Sequence, residues 1–503
     1  MIALGLWLSR LSDKEQGTQD YFLASKSLPW WAVGGSLIAS NISAEQFIGM
    51  SGSGYVVGMA IASYELMAAI TLIIVAKYFL PIFLKKGIYT MPQFLESRYD
   101  GRVKSVMAVF WVLLFVFVNI TSVMYLGALS IQTILGVPMI YGIIGLAIYS
   151  ASFSIFGGLK AVVWTDVVQV VVLIFGGLVT TYLVMTAMEG SFLGGLSALV
   201  EKAPEKFDMI LDKGHAEYKN LPGLGVLIGG MWIANIYYWG NNQYIIQRAL
   251  GAKSLAEAQK GTIFAAAMKI ILPIIVVVPG IAAFVLQADI AKADQAYPWV
   301  LSNYVTSGFK GLAFAALVAA IGSSISSMVN STSTIFTLDI YKSMIKKNDA
   351  TEKHLVRVGK IASAIAIAIG CLVAPALGAL DQAFQYIQEY TGFISPGVVA
   401  VFLFGFFWKK TSANAALIVV LLSIPLSITM KLLAPEFPFI HRMGVTFLIC
   451  SFLLIVISYM GNKQLDDDKA IEIESGLFKT DMLFNIGSVV VIGVIAAIYA
   501  MWW

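Results

Sequence analysis

The stretch Gly34-Gly-Ser-Leu-Ile-Ala-Ser-Asn-Ile-Ser-Ala-Glu-Gln-Phe-Ile-Gly-Met-Ser-Gly-Ser-Gly54 decides the reading of this chain. It lies in an apolar run long enough to cross a membrane, yet it carries Asn41, Ser43, Glu45 and Gln46 among five glycines. In hydrocarbon every backbone N–H and C=O needs a partner, so irregular backbone survives only where it lines a cavity inside the protein. The stretch therefore reads as a helix that unwinds near Ser40–Ser43 and faces inward. Five spans later, Gly229-Gly-Met-Trp-Ile-Ala-Asn-Ile-Tyr-Tyr-Trp-Gly-Asn-Asn-Gln243 has the same polar, glycine-bearing character.

The surrounding chain sets the context. Hydrophobic residues make up 59% and charged residues 12% of 503 positions, with a mean hydropathy of +0.82. So few charges could not cover a water-soluble surface. The apolar runs are helix-length rather than short and alternating, which excludes a β-barrel. Reading between charged punctuation gives about thirteen spans, at 28–52, 57–84, 104–134, 138–155, 161–187, 222–249, 259–287, 309–343, 355–379, 391–408, 412–433, 440–461 and 482–503. The net charge of +4 is spread over many connections and implies no nucleic-acid partner. Cys371 and Cys450 both sit in apolar runs, which argues against a disulfide or metal framework. His215, His354 and His441 lie in or beside polar connections, which weakens a proton relay. No zinc-protease helix, P-loop or nucleophile elbow supports an enzyme.

Lysine and arginine orient the chain. Lys85, Lys86, Arg98, Arg102 and Lys104 share one side with Arg248, Lys253 and Lys260, and with Lys342, Lys346, Lys347, Lys353 and Arg357. That basic side is expected to be cytoplasmic, which puts the C-terminus outside. The two interrupted spans then cross in opposite directions. Matching broken helices in halves of opposite topology describe a transporter of inverted repeats, as in leucine-transporter-like folds. The alternative is two packing helices with small residues at their crossings. The expected architecture is an all-α polytopic membrane protein with a 5+5 inverted-repeat core whose first and sixth helices are broken. Segment 1–27 holds the remnant of an extra helix and a cytoplasmic stretch, 28–187 the first repeat, and 188–221 an extracytoplasmic loop. The second repeat is 222–408, and 409–503 adds three C-terminal helices.

Several motifs carry a resemblance. Ser40-Asn-Ile-Ser-Ala-Glu-Gln-Phe-Ile-Gly49, Trp164-Thr-Asp166, Tyr238-Trp-Gly-Asn-Asn-Gln-Tyr-Ile-Ile-Gln-Arg248, Asn330-Ser-Thr-Ser-Thr-Ile-Phe-Thr-Leu-Asp-Ile-Tyr341 and Gln385-Tyr-Ile-Gln-Glu-Tyr-Thr-Gly392 closely resemble the sodium:solute symporter family. Within it they are most similar to the branch of bacterial sodium/galactose and animal sodium/glucose symporters. The resemblance implies sodium-coupled uptake of a hexose in a bacterial inner membrane. It also implies a complete extra N-terminal helix, of which this sequence keeps only Gly5–Arg10.

Sodium needs several oxygen ligands, and an unwound helix facing a hydroxyl-rich one supplies them. Ala320, Ser323, Ser324 and Ser327 fall on one helical face. The resemblance implies ligation by the carbonyls of Ala39, Ile42 and Ala320 and the hydroxyls of Ser323 and Ser324. Alternatively, such serines simply bond neighbouring helices. Asp166 reads either as part of an exit route or second sodium site with Ser326 and Ser327, or as a hydrated helix-end acid.

A hexose needs many donors and acceptors and a flat surface to stack on. Gln46, Glu65, Asn119, Asn235, Lys269 and Gln388 are the polar candidates within or at the edge of apolar spans. Glu65 and Lys269 either grip sugar hydroxyls or form an ion pair that fixes packing. Tyr238 resembles the family's inner gate, with Met50, Tyr64 and Trp239 as adjoining walls. Ala68 departs from a sodium/galactose symporter of this branch, which has a sugar-contacting serine there. Other solutes (myo-inositol, sialic acid, an amino acid) and a passive channel remain rival readings.

Overall fold

A computed structural model describes residues 21–22, 24–345, 349–379, 383–461 and 469–503. The expected helix remnant at Gly5–Arg10 lies outside these, as do Lys346 and Lys347. Among the described residues the chain is helical, with one isolated bridge pairing Leu28 and Ala252. Nine helices among them are long and apolar enough to cross a membrane, from Met59–Lys86 to Met482–Met501, and Met139–Ser152 and Ser395–Phe407 are shorter apolar helices.

Two expected spans, 138–155 and 161–187, appear as one helical segment, Met139–Glu189. It cannot be straight. Gln169 Nε2 donates to the Tyr149 hydroxyl at 3.0 Å across a separation of 20 residues, which a straight helix would stretch to about 30 Å. The chain therefore doubles back between them, and its two limbs match the two expected crossings.

The first span breaks as its composition demands, within the expected Ser40–Ser43 stretch. Helix Trp30–Asn41 stops at Ile42, whose backbone is extended (φ −73°, ψ 98°). The side chains of the Ser-Ala-Glu-Gln run replace the lost helical bonds: Gln46 Oε1 accepts from the Ser43 N–H at 3.0 Å, and Ser43 Oγ accepts from the Glu45 N–H at 3.0 Å. The chain resumes as a wide π-helical turn, Glu45–Met50, and then as Ser51–Val56. The second broken span is interrupted twice. Leu224–Ile228 gives way at Gly229, and Met231–Ile236 with its π turn Tyr237–Asn241 ends at Asn242, extended at φ −87° and ψ 122°, before Gln243–Leu250.

The long helix Leu255–Val285 packs along both pieces of the first broken span. The approach is close enough to require glycine. A Cβ on Gly34 would stand 2.5 Å from the Gly261 carbonyl, and one on Gly280 would run into the carbonyl of Ser51. Ser307–Ile335 packs between the limbs of Met139–Glu189 and the first piece of the broken span, Trp30–Asn41. Outside the core, Lys206 of the 188–221 loop donates to the Val56 carbonyl at 2.6 Å and lies 4.1 Å from the Phe284 ring centre. Burial holds its ammonium below the ordinary lysine pKa. Ala413–Leu433, Phe439–Met460 and Met482–Met501 flank the core, the last tied in by Tyr499 donating to Ser63 Oγ at 2.8 Å.

Candidate ion and solute sites

Where Trp30–Asn41 ends, its last carbonyls have no helical partners. They meet the hydroxyl face of Ser307–Ile335. Ser323 Oγ donates toward the Ala39 carbonyl at 3.1 Å and toward Asp166 Oδ1 at 2.5 Å, and Ser324 Oγ donates to the Ser40 carbonyl at 3.2 Å. One hydroxyl has one proton, so Ser323 faces more acceptors than it can satisfy. Ser36 Oγ donates to Asp166 Oδ2 at 2.5 Å, with Ser40 Oγ 3.5 Å from the same oxygen and 3.0 Å from Ser327 Oγ. Arg248 completes the cluster. It donates to Ser327 Oγ and to the Tyr244 carbonyl at 2.6 Å, with Nη2 3.9 Å from Asp166 Oδ2. Asp166, Arg248, Ser323, Ser324 and Ser327 are all fully buried. This is an oxygen-rich, water-excluded cradle with a single acid and a single base.

Ala39, Ser323 and Ser324 are thus brought together, as the sequence leads one to expect. Ile42 sits at the break itself and Ala320 one turn before Ser324. Neither carbonyl accepts a side-chain hydrogen bond from the cluster among the described residues. Ser326 turns away, donating to the Ser323 carbonyl of its own helix at 2.8 Å, whereas Ser327 bonds Ser40 and Arg248, both of which face Asp166.

A second buried site lies on the other side of the break. Gln46, Tyr64, Glu65, Asn235, Tyr238, Trp239, Lys269 and Gln388 all line one cavity of about 40 Å³. That is room for a few waters at most, far below the several hundred Å³ usual for ligand sites, so the walls are drawn together. Asn119 and Met50, also expected here, are buried but do not line it. Lys269 bonds both Glu65 and Asn41 Oδ1, with its ammonium 4.8 Å from the Trp239 ring centre. The two readings of Glu65 and Lys269 therefore merge: they are an ion pair, and the pair faces the cavity. Asn41 Nδ2 donates to the Tyr238 hydroxyl at 3.0 Å, and the Tyr244 hydroxyl donates to it at 2.8 Å.

Sequence reasoning left Asn41, Glu45, Phe384 and Arg248 unassigned, yet the first three line the cavity and the fourth closes the cradle. A regular helix would turn Glu45 and Gln46 to different faces. The π turn at 45–50 widens the spacing so that both reach the cavity, with Glu45 Oε1 accepting from Ser122 at 3.0 Å.

A run of bonds joins the two sites: Glu65 to Lys269, to Asn41, to Tyr238, to Tyr244, whose carbonyl Arg248 grips beside Asp166. Asn41 is also the covalent neighbour of Ser40 in the cradle. The model of the sodium:solute symporter family matches residues 21–422. The chain belongs to the sodium:solute symporter family. It is 53% identical to the sodium/glucose cotransporter of Vibrio parahaemolyticus, across 100% of this chain and 96% of that protein. It is 34% identical to the human sodium/myo-inositol cotransporter 2, across 83% of this chain and 66% of that protein. Its fold is that of a solved Na+-coupled sialic acid symporter in a substrate-bound outward-open state, with a TM-score of 0.79 and 23% identity over 91% of this chain and 96% of that one. The leucine-transporter-like plan expected from two broken helices is the architecture of this symporter, a multi-pass membrane protein.

Proposed function

We propose that this symporter couples inward sodium movement to uptake of a hexose. The observation that carries this reading is the meeting of free carbonyls at Ala39 and Ser40 with the Ser323 and Ser324 hydroxyls, one residue from an Asn41 that reaches into a polar cavity. Sodium at the cradle replaces the strained sharing of the Ser323 proton and locks the inner end of Trp30–Asn41 against Ser307–Ile335. Ala39, Ile42, Ala320, Ser323 and Ser324 supply its oxygens. Asp166 and Ser327 line its way out.

In the cavity, Glu65 and Gln388 accept sugar hydroxyls, Lys269, Asn235 and Gln46 donate to them, and Trp239 and Tyr64 offer ring faces. Leaving any of these unpaired on a smaller polyol costs affinity, which gives discrimination. Tyr238 closes the inner side. Its hydroxyl is held by Asn41, so loss of sodium from the cradle loosens the gate. The repeats at 28–187 and 222–408 then rock about the sites, in a bacterial inner membrane with the C-terminus outside. Both ligands favour one state because coupling is reciprocal.

Proteoliposomes with labelled glucose and galactose test this. Uptake against a gradient is expected with external sodium and to be absent with potassium, and unlabelled hexose should compete more strongly than myo-inositol or sialic acid. Sodium-independent equilibration would overturn symport, and stronger competition by another solute would overturn the hexose.

A further inference from the structure

Away from both sites, two π-helical segments, Phe115–Ile120 and Phe336–Ile345, flank helix Glu352–Val373. Wide turns push side chains apart, and between the three elements runs a groove of about 710 Å³. One wall is a regular helical stripe: His354, Arg357, Ile361, Ile365 and Ile369. Leu113 and Phe117 stand opposite, and these two are about half exposed, as are Ile361 and Ile365. The groove is apolar along its length apart from Thr332, whose hydroxyl bonds the Met328 carbonyl of its own helix, and its other polar residues gather at one end. There Tyr341 and His354 bond at 2.8 Å between the hydroxyl and Nε2. Arg357, exposed beside them, has no hydrogen bond or ion pair among the described residues.

The dimensions and charge fit one class of occupant. From Arg357 to Ile369 the helix rises about 18 Å, close to the roughly 15 Å hydrocarbon depth of one leaflet. When the guanidinium lies at headgroup level, the far end reaches the bilayer centre. Between Lys342 and Lys360 the sequence carries six lysines and arginines against two acids, on the side that the loop charges assign to the cytoplasm. A basic end on an interhelical groove attracts anionic headgroups.

We infer that this groove holds an anionic phospholipid, one acyl chain along Ile361–Ile369 and its phosphate on Arg357 and His354. The occupant touches the helix that carries the cradle, since Thr332 and Phe336 also line the groove. It therefore braces the hydroxyl face from the lipid side.

Native mass spectrometry of the full chain released from nanodiscs of equal phosphatidylglycerol and phosphatidylethanolamine tests this. The wild type is expected to retain phosphatidylglycerol over phosphatidylethanolamine. Arg357→Gln should cut that preference about fivefold, as one basic contact is lost. Ile365→Trp, which fills the groove, should remove retention of both lipids. Equal retention of the two lipids by the wild type, or unchanged phosphatidylglycerol retention in both variants, overturns the assignment. The readout is independent of transport, so it fails separately from the proposed function.

Discussion

At the scale of single residues, both sites are governed by counting protons and charges. Ser323 has one proton for two acceptors, while Ser324 has one for a single carbonyl. A cation adds what the cradle lacks. Ser324→Ala removes an oxygen ligand worth about 1.5–3 kcal/mol to a charged partner. The sodium concentration for half-maximal uptake is expected to rise at least about tenfold with the protein still folded. An unchanged sodium dependence would remove Ser324 from the ion site. Glu65 and Lys269 obey different arithmetic. Removing one leaves a buried charge unpaired, at a cost of about 3–5 kcal/mol. Lys269→Met should therefore lower the melting temperature of the purified protein as well as abolish uptake. Adding Glu65→Gln to it should restore much of the melting temperature and none of the uptake. Full recovery of uptake in the double variant would make the pair purely structural.

At the scale of elements, the breaks were legible because polar residues in hydrocarbon have few physical excuses. Asn41, Glu45 and Gln46 in one span left little choice but an interior face, and the break followed. Its position fell inside the Ser40–Ser43 stretch, though not to the residue. The stop at Ile42 depends on Ser43 and Gln46 exchanging bonds with local backbone, a choice made by rotamers rather than composition. Asn119 lies off the cavity lining for a related reason. Span membership was right, but the π turn Phe115–Ile120 sets which way each side chain faces. The two limbs of Met139–Glu189 were readable as separate apolar runs, 138–155 and 161–187, on either side of the charge at Lys160, whereas the short helix Ala383–Thr391 that carries Gln388 lies before the expected span 391–408 and was not read as an element of its own. Packing between elements gives its own prediction. A Cβ on Gly280 meets backbone, and one on Gly311 meets nothing within 4 Å. Gly280→Ala should destabilise by roughly 1–3 kcal/mol through overpacking, while Gly311→Ala should be neutral or stabilise by up to about 1 kcal/mol. Thermal unfolding in detergent separates them. Equal melting temperatures would mean that Leu255–Val285 and Ser51–Val56 do not cross this closely.

For the whole molecule, the driving force follows from how many charges move with each sugar. The cradle holds one acid, Asp166, already faced by one base, Arg248, at 3.9 Å. The pair is neutral together, so a first sodium coordinated by neutral carbonyls and hydroxyls brings one net positive charge. A second at Asp166 would have to compete with the guanidinium for the same carboxylate. One ion per sugar is therefore expected. At a potential of about 100 mV, a single charge gains roughly 2.3 kcal/mol, and a tenfold sodium gradient adds about 1.4. Together these sustain about 500-fold accumulation, whereas two ions would sustain about 10⁵-fold. The sugar gradient at which net flux vanishes, measured in proteoliposomes under a clamped potassium diffusion potential, distinguishes these values. A null near 500-fold fits one ion, and with Arg248 intact it should change in direct proportion to the sodium ratio when external sodium is varied. A null beyond about 10⁴-fold would mean that Asp166 releases Arg248 to take a second ion, and the neutral pair seen here would then be one stage of the cycle rather than its resting arrangement.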